Sequence, residues 1–268
     1  MKDLPQKVKP MITITNENNM DLMARYPDKY FDLAIVDPPY GILNKTKRGG
    51  DYKFNMAEYG KWDVKPDIEY FKELFRVSKH QIIWGGNYFG HLWANSPFNK
   101  GFIIWNKNQP ESLNNFSMAE MAWSSLDMPS KIFHYSVRKN RNKVHPTQKP
   151  IELYQWLLKM YAKKGYKILD THLGSGTIAV ACYEAGINLT ACEIDESYFN
   201  KSLKKIKEHY PAIDINTDIE NTAQIAQLLK NNNHTIINGS YKNDEQLSLF
   251  EERKVKYKKI KPKVKAIL

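Results

Sequence analysis

The residues with the clearest chemical capability are Asp37-Pro38-Pro39-Tyr40, directly after an apolar run at 33–36. Such a run predicts a buried strand, so the four residues should lie where that strand leaves its sheet. Asp37 supplies acceptor oxygens, and the prolines make the Pro38 carbonyl a rigid second acceptor. Tyr40 supplies a ring for stacking. Together they suit binding of the exocyclic amino group of a flat base; the alternative is a strand-ending turn with a packing tyrosine.

A second string, Asp170-Thr171-His172-Leu173-Gly174-Ser175-Gly176-Thr177, joins a predicted strand to a predicted helix. Its glycines let the backbone approach a ligand closely. Glu193 ends the next predicted strand, where an acid can hold ribose hydroxyls. Gly174, Gly176 and Ala179 also satisfy the fingerprint of dinucleotide-binding loops. The loop therefore permits two classes of cofactor, or it only turns the chain.

Asp170 distinguishes between the two cofactor classes. A dinucleotide places its pyrophosphate at the start of the helix, where the Asp170 carboxylate would repel it. S-adenosylmethionine carries an ammonium and a sulfonium instead of phosphates, and this carboxylate would attract them. The sequence therefore favours S-adenosylmethionine over a nicotinamide dinucleotide.

The elements around these strings alternate between strands and helices. Apolar runs predict strands near 11–15, 32–36, 81–84, 101–105, 118–124, 131–135, 167–170 and 189–193. Helical spacing predicts helices after Pro66 and Pro150, and over 177–185, 196–209 and 219–230. This order is typical of an α/β protein whose doubly wound, mostly parallel sheet has helices on both faces. Ligands bind outside the carboxyl ends of such strands, where the two strings can meet.

The net charge of +11 is concentrated at the C-terminus. Eight lysines and arginines lie at 253–265 with no acid from 253 onward, which leaves +3 for the rest. We interpret 1–230 as one domain and 231–268 as a polar, then basic, tail that contacts phosphates. A solvated terminus is the alternative.

The two cysteines, Cys182 and Cys192, have apolar neighbours, which indicates buried free thiols in a reducing compartment. No apolar run is long enough to cross a membrane, and the N-terminus has no signal-peptide core. We therefore expect a cytoplasmic protein without a membrane partner, and the Lys and Asn content favours a bacterial or phage source. No cluster has the spacing of zinc ligands, so no metal is expected.

Three strings in order resemble the β group of DNA amino-methyltransferases: Asp37–Tyr40, His145-Pro146-Thr147-Gln148-Lys149-Pro150 and Asp170–Thr177. In this circularly permuted group the catalytic motif precedes the cofactor motif, and the likeness covers about residues 11–210. It implies a seven-stranded methyltransferase sheet, S-adenosylmethionine as the cofactor, and methylation of adenine N6 or cytosine N4 in double-stranded DNA. Aspartate at the first motif position resembles the adenine enzymes, so a flipped-out adenine is the expected substrate.

The motifs and the resemblance together give three groups of predicted site residues. The catalytic group is Asp37, Pro38, Pro39 and Tyr40. The cofactor group is Asp170, Thr171, His172, Gly174, Ser175, Gly176, Thr177, Glu193, Gln148 and Lys149. The DNA-binding group is basic: Lys45, Lys47, Arg48, Arg138, Lys139, Arg141 and Lys143.

The chain departs from the family in two respects. His172 stands where the family's common Asp-Pro-Phe opening has an aromatic residue. There is also no long insertion for a target-recognition domain, only loops at 41–61, 106–118 and 136–146. The recognition site is therefore either short or shared with a second subunit of a homodimer, and a cognate restriction enzyme is left open as a partner. A DNA-binding module with a vestigial cofactor fold is the non-enzyme alternative, which the complete Asp37–Tyr40 tetrad disfavours.

Overall fold

The computed structural model describes residues 9–42, 63–94, 101–109, 117–139, 145 and 147–233. Some predictions fall on other parts of the chain and lie outside the described residues. They concern most of the 41–61 loop, parts of the other two loops, the tail beyond 233, and the basic residues Lys45, Lys47, Arg48, Arg141 and Lys143.

Nine strands of the described residues form one sheet. They are β1 (Ile12–Asn16), β2 (Phe31–Val36), β3 (Ser78–Trp84), β4 (Phe102–Asn106), β5 (Ala119–Ser124), β6 (Lys131–His134), β7 (Lys167–Asp170), β8 (Asn188–Glu193) and β9 (Ile215–Asn216). Their order across the sheet is β6-β4-β5-β3-β2-β7-β8-β1-β9. All neighbours run parallel except that β5 is antiparallel to both β3 and β4.

Seven helices of the described residues connect and cover these strands. They are α1 (Asn19–Arg25), α2 (Ile68–Val77), α3 (Gly90–Ala94), α4 (Ile151–Tyr161), α5 (Thr177–Ala185), α6 (Glu196–His209) and α7 (Ile219–Asn233). Side-chain caps set where several of them begin: the Asp67 carboxylate accepts from Tyr70 N–H at 3.1 Å, and Asp195 accepts from Tyr198 N–H at 2.9 Å. The helix predicted after Pro66 thus starts at Ile68.

Both faces of the sheet are buried, as β2 shows. Leu33 and Ile35 pack into one apolar cluster, which includes residues of α4 and α5. Ala34 and Val36 pack into a second cluster, which includes residues of α1 and α2. Successive side chains of a strand point to opposite faces, so helices cover both sides. The prediction of a doubly wound, mostly parallel α/β sheet is confirmed.

The strand count differs from the seven that the family resemblance implied. The edge strand β9 has only two residues, which pair with Ile12 and Thr13, and so short a strand gives no alternation in the sequence. At the other edge, β6 pairs in parallel with β4.

Two smaller expectations can also be placed on the structure. Cys182 and Cys192 are buried free thiols, as predicted. The boundary at 230 stays a prediction, because α7 continues to Asn233 and the described residues end there. Within the described ranges, no helix combines the length and the apolar character that a membrane span requires.

Candidate active site

The predicted catalytic turn leaves the carboxyl end of β2 and is held by acidic side chains. Within the turn, the Tyr40 hydroxyl donates to Asp37 Oδ1 at 2.5 Å. The backbone N–H groups of Tyr40 and Gly41 both donate to Asp63 Oδ1, at 3.1 and 3.0 Å. Asp63 is buried, so it fixes the turn from beneath. These contacts aim Asp37 and the tyrosine ring in fixed directions.

The Tyr40 ring is confined on two sides. It stacks on Tyr88, with ring centroids 5.0 Å apart and ring planes 20° apart. Gly85, at φ +70°, lies so close that an added Cβ would be 2.1 Å from Tyr40 Cε1. Only glycine therefore fits at position 85 while the ring keeps this place. Tyr88 is partly exposed, at 38%, so the stack opens toward solvent.

The predicted cofactor loop follows β7 and is tied to β8. Gly174 N–H donates to Glu193 Oε2 at 2.9 Å. Gly176 has φ +74°, and a Cβ there would be 2.9 Å from Ile206 Cδ1, so glycine lets α5 pack against α6. Glu193 also accepts from Asp195 N–H at 3.0 Å. The loop and the end of β8 form one connected wall.

The two turns meet because their strands are neighbours in the sheet. β2 and β7 are parallel, with Leu33 opposite Ile168 and Ala34 opposite Leu169. Both strands therefore end at the same edge of the sheet, where they open into one cavity of about 620 Å³. A cavity of this size can hold a small organic molecule.

Ten of the predicted catalytic and cofactor residues line this cavity. They are Asp37, Pro38, Pro39, Tyr40, Gln148, Lys149, His172, Gly174, Ser175 and Glu193. Four others lie behind its wall: Asp170, Thr171, Gly176 and Thr177. Arg138 and Lys139 lie on an exposed turn, Val137–Lys139, outside the cavity lining.

The four residues behind the wall have identifiable structural contacts. The Asp170 carboxylate accepts from His172 N–H at 3.0 Å, and it is 2% exposed. Thr171 Oγ1 lies 2.7 Å from the Tyr70 hydroxyl and 2.9 Å from His172 Nδ1. Thr177 donates to the Lys149 carbonyl at 3.1 Å, which ties the start of α5 to the segment before α4.

Burial controls the charge of several groups in and behind this wall. It raises the pKa of Asp170 to about 8, and the nearby Asp37 and Glu193 charges add to the shift. Burial also lowers the pKa of His172 to about 3 and that of His145 to about 4. Both histidines are therefore neutral near pH 7.

Sequence reasoning assigned Lys149 to the cofactor, whereas the structure places its ammonium against the catalytic turn. Lys149 Nζ forms an ion pair with Asp37 Oδ2, and it lies 3.1 Å from Glu120 Oε2. Glu120 in turn pairs with Lys107 at 2.7 Å.

Sequence reasoning missed several residues of the cavity wall, namely Asp63, Tyr88, Lys107, Glu120, Tyr154 and Tyr198. Glu120 carried one usable signal, since it is a charged residue inside a predicted strand. Tyr154 lies in the helix predicted after Pro150, and its side chain reaches the cavity.

Comparisons with known proteins return DNA methyltransferases. A family model described as DNA methylase, whose name covers both N6 and N4, matches residues 76–205. The type II methyltransferase M.HpaI of Haemophilus parainfluenzae is 22% identical over 240 residues, which cover 74% of this chain and 74% of the relative. The type II methyltransferase M.BglI of Bacillus subtilis is 29% identical over 159 residues, which cover 59% of this chain and 42% of the relative.

A solved structure shows the same fold. The crystal structure of the M1.HpyAVI–SAM complex aligns with a TM-score of 0.50 and 19% identity, over 73% of this chain and 100% of that one. The family model, which spans two of the three sequence strings, and the two curated relatives support the DNA amino-methyltransferase resemblance. This chain is therefore similar to DNA methylases of a family whose name covers both N6 and N4.

Proposed function

We propose that this protein transfers a methyl group from S-adenosylmethionine to the N6 amino group of an adenine flipped out of double-stranded DNA. One observation carries the proposal: the catalytic turn and the glycine loop leave adjacent parallel strands and line one cavity. Such an arrangement would bring a methyl donor and an acceptor base within reach of each other, which is the main requirement for an in-line transfer.

The charges of the cavity wall fit a cationic cofactor. Among the described lining residues, two lysines face five carboxylates: Asp37, Asp63, Glu120, Glu193 and Asp195. Both lysines are already paired with acids, and the two lining histidines are neutral. The wall is therefore negative overall. S-adenosylmethionine supplies an activated methyl group on a sulfonium, and it suits this wall better than a pyrophosphate would.

The residues proposed to hold it come from the glycine loop and the end of β8. In this proposal Glu193 would accept hydrogen bonds from the ribose hydroxyls, and the loop amides would donate to the cofactor's carboxylate. Asp170 would act from behind the wall. A bound cation would favour its ionised form, because burial without such a partner raises the pKa of this carboxyl.

The residues proposed to hold the base are those of the catalytic turn. The amino group of the base would donate one hydrogen bond to Asp37 and one to the Pro38 carbonyl. These bonds direct the nitrogen lone pair toward the methyl group, which a delocalised amino group does not do unaided. Stacking on Tyr40 would return about 1–3 kcal/mol of the cost of base flipping.

Adenine is proposed on the strength of Asp37, since aspartate at this motif position resembles the adenine enzymes and serine is usual for cytosine N4. The family model covers both acceptors. Double-stranded DNA is the proposed partner. The exposed Arg138 and Lys139 are among the proposed phosphate contacts, together with basic residues outside the described ranges.

The test is to identify the modified base. Purified full-length protein is incubated with duplex DNA and S-adenosylmethionine carrying a labelled methyl group, and the DNA is digested to nucleosides for mass spectrometry. We expect labelled N6-methyladenine from the wild type and none from Asp37→Asn. Asp32→Asn is a matched control, because Asp32 lies at the opposite end of β2, where it pairs with Lys79. Labelled N4-methylcytosine would contradict the choice of adenine, and unlabelled DNA would contradict DNA as the substrate.

A further inference from the structure

Two lysines and two acids form a chain of ion pairs in the cavity wall, in the order Asp37, Lys149, Glu120, Lys107. Lys149 Nζ contacts Asp37 Oδ2 and lies 3.1 Å from Glu120 Oε2, and Lys107 Nζ lies 2.7 Å from Glu120 Oε1. The Lys149 side chain is only 1% exposed. The methyl-transfer chemistry described above uses Asp37 alone and gives the other three no task.

Such a cluster is costly to bury. Each charge loses its hydration, and a buried pair repays that loss only when its geometry is good and its remaining donors and acceptors are satisfied. Lys149 meets this condition with two carboxylates, and its ammonium also lies 5.1 Å from the centroid of the Trp84 ring. A well-packed apolar group would fill the same space at lower cost, so the position of the charge itself calls for an explanation.

We propose that Lys149 and Glu120 are positioning residues for the transfer step, in which Lys149 holds the Asp37 carboxylate ionised and aimed at the amino group. Glu120 draws part of the Lys149 charge away, so that Asp37 remains a good acceptor. Because the proposal assigns partners to the catalytic aspartate, it rests on the proposed function.

The charge balance of the cluster supports this division of roles. Burial raises the pKa of Asp37, the Lys149 charge lowers it, and the Glu120 charge raises it again. Burial also favours neutral Glu120, but the charges of Lys149 and Lys107 outweigh it and lower the pKa of Glu120 to about 2. Glu120 is thus firmly ionised, while Asp37 keeps affinity for a proton and can accept one late in the reaction.

Four other titratable groups among the described residues face Asp37. They are Tyr40 of its own turn, Tyr70 of α2, Tyr154 of α4 and Asp170 of β7. Burial raises the pKa of all three tyrosines, so they stay neutral, and Asp170 has a pKa of about 8. Below about pH 8 these four groups are therefore largely neutral, and the charges that act on Asp37 are those of Lys149 and Glu120.

The test follows the acid limb of the pH dependence of single-turnover methyl transfer, with cofactor and DNA both saturating. Lys149→Met removes the positive charge, so the limb should move to higher pH by about 1–3 units. Glu120→Gln removes the competing acid, so the limb should move to lower pH. Lys149→Arg keeps the positive charge, so its acid limb should lie close to that of the wild type. Lys79→Met is the matched control, since this lysine pairs with Asp32 at the other end of the strands.

Opposite shifts in the two variants identify the proposed roles, because a merely structural defect would lower the rate without moving the limb in opposite directions. Limbs that stay in place, or that move in the same direction, would overturn the proposal. The proposal would also be overturned if Lys149→Met bound S-adenosylmethionine more weakly while its acid limb stayed in place. That result would indicate that Lys149 contacts the cofactor. If Lys149→Met does not fold, the acid limbs of Glu120→Gln and Lys149→Arg still test the proposal: the first should move to lower pH and the second should stay in place.

A readout without substrates separates this proposal from the proposed function. In Lys149→Met the folded-state pKa of Asp37 lies further above its unfolded value. The variant should therefore lose thermal stability relative to the wild type as the pH rises from mildly acidic to mildly alkaline. Lys79→Met should show no such trend. An inactive wild type would contradict the proposed function, whereas a flat stability difference for Lys149→Met would contradict the pairing of Lys149 with Asp37.

Discussion

Replacing Gly85 by alanine tests whether the position of the Tyr40 ring matters for methyl transfer. The new Cβ would lie 2.1 Å from Tyr40 Cε1 and 2.7 Å from Cζ, so the ring must leave its place. The backbone at φ +70° adds strain of about 1–2 kcal/mol for any residue with a Cβ. Loss of the stacking surface removes about 1–3 kcal/mol of base binding, which corresponds to about a 5- to 150-fold lower rate of transfer.

Gly186→Ala provides the matched control for this substitution. Gly186 has φ +67°, nearly the same backbone conformation, but a Cβ there meets no atom within 4 Å. Both variants should lose stability in chemical denaturation, Gly85→Ala at least as much as Gly186→Ala because of its clash with Tyr40, and Gly85→Ala alone should lose transfer rate under single-turnover conditions. Equal rates for the two variants would refute a role for the placed Tyr40 ring.

Four further changes test other parts of the protein. Asp37→Ala should abolish transfer while S-adenosylmethionine affinity, measured by calorimetry, stays near the wild-type value; parallel loss of both would mean that Asp37 is misassigned. Tyr40→Ala should lower the rate more than Tyr40→Phe or Tyr40→Trp, and identical rates in all three would exclude stacking. Asp170→Asn should stabilise the cofactor-free protein by an amount that grows from about pH 4 to about pH 8, because a raised folded pKa destabilises the wild type over that range; a constant difference in melting temperature would contradict the burial of a charge there. Deleting 253–268 should weaken DNA binding and flatten its salt dependence. An unchanged slope of affinity against salt concentration would mean that the tail is only a solvated terminus.

Local sequence patterns predicted most of the strands and helices and both turns. The run at 33–36 is buried and ends at Asp37, and the glycine loop joins a strand to a helix as expected. These features depend on residues close together in the chain, where backbone preferences and apolar periodicity act. The meeting of the two turns followed from a general property of parallel sheets, that ligands bind at the carboxyl ends of strands.

The contacts that sequence reasoning missed join segments that are distant in the chain. Lys149 and Asp37 are 112 positions apart, and no periodicity links them. The motif containing Lys149 was assigned by likeness to the cofactor, whereas the path of the chain before α4 brings its ammonium to Asp37. Similarly, Asp170 lies behind the wall because the His172 N–H takes up its carboxylate. Side-chain pairing of this kind depends on three-dimensional packing, which a single sequence does not encode as a pattern.

A structure of the protein with a duplex oligonucleotide and the demethylated form of the cofactor would decide whether one cavity serves both substrates. We expect an everted adenine whose amino nitrogen lies about 2.7–3.2 Å from Asp37 and from the Pro38 oxygen. The cofactor sulfur should face that nitrogen from the side of the glycine loop. A target base that remains stacked in the duplex, or one bound away from the Asp37–Tyr40 turn, would contradict the proposed site.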